Sequence, residues 1–85
     1  MLKTIIVEDE EKARWNLQHI LQGYCKNVEV VDMQDGVASG IASIKKHDPD
    51  LVFLDVKMKG ETGFDLLEQI GDINFEIIFT TAHNE

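Results

Sequence analysis

Apolar positions along the chain fall into two alternating patterns. Thr4-Ile5-Ile6-Val7 is a continuous β-rich run, the mark of a strand buried on both faces. From about Glu10 the period changes. Ala13, Leu17, Ile20, Leu21 and Tyr24 recur at i, i+4, i+7, i+8 and i+11, which predicts a helix with one apolar face, ended by Gly23. Glu10 and Glu11 in its first turn suit the positive end of the helix dipole. Val28 to Met33 predicts a second strand. Asp35-Gly36 then marks a turn able to cap a helix that carries Val37, Ile41 and Ile44 on one side. Lys45, Lys46 and His47 fall in its last turn, where cations are favoured, and Pro49 forbids its continuation. Leu51-Val52-Phe53-Leu54 predicts a third strand. After a loop with Gly60 and Gly63, the capping-box pattern Thr62-x-x-Asp65 opens a helix with Phe64, Leu67 and Ile70 inward. Phe75 to Thr80 predicts the fourth strand.

The order β-α-β-α-β-α-β implies parallel strands joined by right-handed crossovers, an α/β doubly wound sheet with helices on both faces. In such sheets ligands bind beyond the carboxyl ends of the strands, where strand order reverses. The chemistry is expected at that rim.

Composition narrows the partners. Eighty-five residues allow one domain, 1–85, and 44% hydrophobic residues suit a folded chain rather than an acidic tail. The net charge of −8 argues against nucleic acid or an anionic membrane as a direct partner. Cys25 is the sole cysteine, so neither an internal disulfide nor a thiolate metal cluster can form. The first apolar run is too short for a signal peptide, and no stretch approaches the roughly 18 apolar residues of a membrane span. A cytoplasmic location is expected.

The carboxylates supply the candidate chemistry. Glu8 and Asp9 directly follow the first strand, and Asp55 directly follows the third. If those strands are neighbours, three carboxylates converge and repel unless protons or a divalent cation neutralise them. An all-oxygen set suits Mg²⁺. Thr81, at the end of the fourth strand, adds a hydroxyl to the same rim. Such a trio with a hydroxyl beside it can handle a phosphoryl group on an aspartate. Glu10 and Glu11 read as surface residues, as do His19, His47 and His83, which share no ligand spacing; His83 lies two past Thr81, close enough in sequence to affect water access at the rim. Trp15 falls off the apolar face of the first helix.

The runs Ile5-Ile6-Val7-Glu8-Asp9-Glu10, Leu51-Val52-Phe53-Leu54-Asp55-Val56-Lys57-Met58, Gly63-Phe64 and Ile77-Ile78-Phe79-Thr80-Thr81-Ala82 together resemble the receiver domain of two-component response regulators, over essentially the whole chain. Ala13-Arg14 and Gly63-Phe64-Asp65-Leu66-Leu67 resemble receivers followed by a LytTR-type DNA-binding domain. The resemblance implies a flavodoxin-like fold with strand order 2-1-3-4. It makes Asp55 the phosphoacceptor for a sensor histidine kinase, Thr81 the switch hydroxyl, and Glu8, Asp9, Asp55 and the backbone carbonyl of Lys57 the Mg²⁺ ligands. Such a module signals to an output domain and is not itself an enzyme; any DNA binding belongs to that domain, outside this chain.

Two departures stand out. Lys59 occupies a position where the family commonly has proline. A complete receiver also continues through a fourth helix, a fifth strand ending in lysine and a fifth helix, so the resemblance implies a truncated receiver. Its fourth strand would then be an unprotected apolar edge, expected to pair with another copy. The reading frame beyond Glu85 would show whether those elements and an output domain exist. Two rival readings carry distinct expectations: a pseudo-receiver that is no longer phosphorylated, and an Mg²⁺-dependent phosphohydrolase acting through an aspartyl phosphate. The second class typically has an aspartate two residues after its nucleophile, where this chain has Lys57.

Overall fold

The structure is a computed structural model that describes residues 1–80. Its elements run β1 (Leu2–Val7), α1 (Glu11–Tyr24), β2 (Val28–Gln34), α2 (Val37–His47), β3 (Leu51–Asp55), β4 (Lys57–Met58), β5 (Glu61–Thr62), α3 (Gly63–Ile70) and β6 (Glu76–Thr80). The main sheet has the order β2-β1-β3-β6 with every pair parallel, which is the expected 2-1-3-4 order with β6 as fourth strand. Where the sequence pattern predicts only a loop, β4 and β5 form a small antiparallel hairpin, because two-residue strands leave no readable period.

The continuous apolar runs are buried as read: Ile5, Ile6 and Val7 of β1, and all of β3. Alternation then sorts them between two faces. Ile5, Val7, Val52 and Leu54 pack with Val37 and Ile44 of α2, Leu66 of α3 and Met58 in one cluster. Ile6, Leu51 and Phe53 pack with Leu21 of α1 in a smaller one.

Three helix readings need correction. α1 continues through Gly23 to Tyr24, with the Cys25 N–H donating to the Leu21 carbonyl at 2.9 Å. Its apolar face is only partly covered: Leu21 is buried, whereas Ile20 is 52% and Tyr24 84% exposed. Among the described residues nothing lies over the part of α1 that faces β6. A groove of about 360 Å³ remains there, its lining including Ala13, Leu17, Ile20 and Thr80.

In α3 Leu67 and Ile70 are half-buried against the main core cluster as expected, but the fully buried position is Leu66, and Phe64 turns outward at 57% exposure and rests on Phe79 with ring centroids 5.0 Å apart. Gly63 sets this phase. It is pressed so closely to the end of β3 that a Cβ would lie 2.6 Å from the Asp55 carbonyl oxygen, so the helix must face the sheet through Gly63 and Leu66. The expected capping box is formed: Asp65 N–H donates to Thr62 Oγ1 at 3.2 Å, and Thr62 N–H to Asp65 Oδ2 at 2.8 Å.

α2 starts at Gly36 without a side-chain cap, so Asp35 does not serve as one. It ends at His47, and Asp48 takes the left-handed conformation (φ 50°) just before Pro49. His47 is half-buried rather than a plain surface residue. Its Nε2 lies 3.7 Å from Asp32 Oδ2, which also accepts hydrogen bonds from Ser43 Oγ at 2.5 Å and Gln34 Nε2 at 2.8 Å. Burial opposes ionisation of Asp32, but those bonds, a backbone bond and the His47 charge outweigh it and hold the carboxyl below its usual range.

Candidate functional site

Parallel pairing of β1 with β3 brings Val7 opposite Leu54, so the residues that follow each strand emerge side by side at the carboxyl rim. Glu8 extends the β1 ladder by one bond, its N–H donating to Gln34 O at 2.9 Å, and is buried. Arg14 of α1 reaches back to the Glu8 carbonyl, Nη1 to O at 2.7 Å, and the Glu10 N–H donates to Glu8 Oε2 at 3.2 Å. Asp9 is half-buried, and its Oδ2 accepts the Lys59 N–H at 3.0 Å. Asp55, the last residue of β3, is fully buried.

Asp55 Oδ1 accepts the Lys57 N–H at 3.2 Å, while Oδ2 is buried and has no hydrogen-bond partner among the described residues. One carboxylate oxygen each from Glu8, Asp9 and Asp55 falls in a cluster whose members all lie within 4.8 Å of one another. The expected convergence of the three is therefore present.

The cost of that convergence appears on Glu8. Its carboxyl is pushed up to about 7, first by burial, then by a hydrogen bond to Asp55 and by the negative charges of Asp55 and Asp9, with the Glu10 N–H opposing. A proton on Glu8 lets it bond to Asp55; without one the two carboxylates only repel. Proton and cation therefore compete for one site. Oxygen-only donors, excess negative charge and an orphaned buried acceptor fit a hard divalent cation such as Mg²⁺.

The remaining expected site residues are placed unevenly. Lys57 contributes its N–H to Asp55, and its side chain points to solvent. Thr80 pairs in register with Asp55, and the Val56 N–H donates to Thr80 O at 3.0 Å, so β6 ends beside the acidic rim. Thr81 and His83 lie outside the described residues. Sequence reasoning missed the contributions of Arg14 and of the Lys59 N–H. Gly60 was the available hint for the second, since it marks the turn that carries that donor.

Comparison with known proteins agrees with this geometry. The family model described as response regulator receiver domain matches residues 4–85. The chain is 32% identical over 87 residues to the sensory transduction protein LytT of Bacillus anthracis, covering 100% of this chain and 35% of that protein. It is 37% identical over 89 residues to the transcriptional regulatory protein BtsR of Salmonella typhimurium, covering 100% of this chain and 36% of that protein. The chain thus spans about a third of the length of these relatives. Among solved structures, the signal receiver domain of NarL from Mycobacterium tuberculosis superimposes with a TM-score of 0.83 at 24% identity, covering 99% of this chain and 68% of that one. A DNA-binding response regulator of the LuxR family from Staphylococcus aureus gives 0.86 at 24%, covering 100% and 72%. These two likenesses concern the fold. Among the described residues, no helix is long and apolar enough to cross a membrane.

Proposed function

The chain belongs to the response regulator receiver domain family, and from that premise we propose that it is the phosphoacceptor module of a two-component response regulator, with Asp55 as the accepting residue and a histidine kinase as donor. One observation carries the reading: three carboxylates meet at the rim of a parallel sheet, and the most deeply buried one, Asp55, keeps an oxygen without a partner among the described residues. In the transfer, a carboxylate oxygen of Asp55 bonds to phosphorus as the phosphorus–nitrogen bond of the phosphohistidine breaks, and the freed imidazole nitrogen takes up a proton.

The chain's own groups prepare that step. The Lys57 N–H fixes the rotation of the Asp55 carboxylate through Oδ1 and leaves Oδ2 free for a new bond. Arg14 and the Glu10 N–H hold Glu8 in place. Glu8, Asp9, Asp55 and the main-chain carbonyl of Lys57 would hold Mg²⁺. Bound there, Mg²⁺ supplies the positive charge that offsets the phosphoryl oxygens. Thr81 is assigned the switch hydroxyl that bonds the acyl phosphate and passes its presence to an output domain. The module signals and is not an enzyme in its own right.

Incubation of the protein, in its full reading frame, with Mg²⁺ and acetyl phosphate is expected to give a single phosphoryl adduct by mass spectrometry. The adduct is expected to vanish in Asp55→Asn and on chelation of the cation. An adduct that survives Asp55→Asn, or none at all, overturns the assignment.

A further inference from the structure

Glu8, Asp9 and Glu10 make up the whole connection between β1 and α1, and two of the three supply carboxylates to the cluster. So short a loop imposes little order of its own, and the aim of its side chains depends on what holds the main chain. The Glu8 N–H is held by the sheet, on Gln34 O at 2.9 Å. The Glu8 carbonyl is held by a side chain, Arg14, through Nη1 at 2.7 Å. Because the peptide unit is planar, anchoring that oxygen orients the whole Glu8–Asp9 link. The directions in which both acids leave the backbone are set with it.

Arg14 stands in the first turn of α1, where the helix dipole opposes a cation. Glu10 and Glu11 lie in the same stretch of chain, yet among the described residues the guanidinium forms no salt bridge. Its bond goes to a neutral carbonyl instead. A positive charge beside a cation site also repels the incoming ion. Charge alone therefore gives no reason for an arginine here, whereas bracing the Glu8–Asp9 peptide does. The planar, stiff guanidinium suits that task.

We propose that Arg14 is the positioning residue for the Glu8–Asp9 pair: its guanidinium grips the Glu8 carbonyl, presets the aim of both carboxylates, and ties the start of α1 to the cluster. The inference rests on the reading of that cluster as a divalent-cation site. It reverses the sign expected from charge. If Arg14 acted through its field, removing the guanidinium would relieve repulsion and tighten cation binding. If it acts by bracing, removal weakens binding, since partners that orient a ligand typically contribute about 10- to 100-fold in metal affinity.

Arg14→Met separates the two. It removes donor and charge, keeps an apolar stem, and leaves the backbone bond from the residue-14 N–H to Glu10 O in place. With the protein in its full reading frame, calorimetry is expected to show Arg14→Met binding Mg²⁺ and Mn²⁺ about 10-fold more weakly than the wild type. Leu21→Val loosens the packing of α1 near the far end of the helix and is expected to bind as the wild type does. A second readout needs no cation: Arg14→Met should speed hydrogen exchange at the Glu10 amide, which donates to Glu8 Oε2 at 3.2 Å, and leave the Glu8 amide protected by the sheet. Unchanged or raised affinity in Arg14→Met, an equal loss in Leu21→Val, or unchanged Glu10 exchange overturns this inference alone. A wild-type protein that binds neither cation overturns the cation reading beneath it, and exchange at Glu10 then decides the bracing by itself.

Discussion

The two faces of the sheet are built from the same kind of strand and end in different states. On one, α2 and α3 cover Ile5, Val7, Val52 and Leu54, and the cluster closes around the fully buried Leu66. On the other, α1 is the one helix among the described residues that covers Ile6, Leu51 and Phe53, and it stops short of β6, so Ile20 stays 52% and Ile78 45% exposed. Apolar runs that read alike thus acquire their burial from the helix placed over them. The acidic rim lies where both faces end, which gives it one well-packed wall and one open groove.

The largest expected effect tests that contrast directly. Leu66→Ala should cost about 2–5 kcal/mol in urea unfolding, whereas Ile78→Ala should cost under about 1 kcal/mol. Equal losses would mean that the second face is as tightly packed as the first. Next comes the rim that both faces share. The Glu8 carboxyl titrates near 7 in the fold and near 4.5 unfolded, so its proton stabilises the fold fully below about pH 4.5, and that contribution is lost as pH rises through about 7. The loss amounts to roughly 3 kcal/mol at most, and thermal melts of the cation-free chain across that window should show it. Glu8→Gln should flatten the slope, as should millimolar Mg²⁺; a slope that Glu8→Gln leaves intact would place its origin elsewhere. Asp32 acts with the opposite sign: its depressed carboxyl contributes stability above its ordinary range and loses it as acid protonates the group. The smallest effect compares helix starts. Thr62→Ala removes the side-chain cap of α3 and should cost about 1 kcal/mol, while Glu10→Ala at the start of α1, where no side-chain cap bond exists, should cost less than half of that.

Much of this architecture can be read from residue pattern, and the exceptions share a cause. Thr4 to Val7 and Leu51 to Leu54 announce strands because a run with no polar face has to be enclosed on both sides. Glu8, Asp9 and Asp55 are legible because acids directly behind such runs have nowhere else to go. What escapes is decided by tertiary placement. Phe64 and Leu66 are both apolar, and only the close approach of Gly63 to β3 determines which turns inward. Tyr24 and Ile20 sit on a correct helical stripe that extends past its cover. The donors to Asp9 and Asp55 are main-chain N–H groups, which nearly every residue carries and no composition reveals.

The unpartnered Oδ2 of Asp55 also bears on how such a chain can be improved. A buried acceptor left empty beside two other acids is a point of local frustration, held in place by the rest of the fold. Selection for heat resistance alone would therefore favour its loss: a neutral residue at position 55 should melt higher than the wild type, while the carboxylate to which we assign phosphoacceptance is gone. Stabilised variants of this chain are best sought on the α1 side of the sheet, where gains in packing leave the rim's carboxylate cluster untouched.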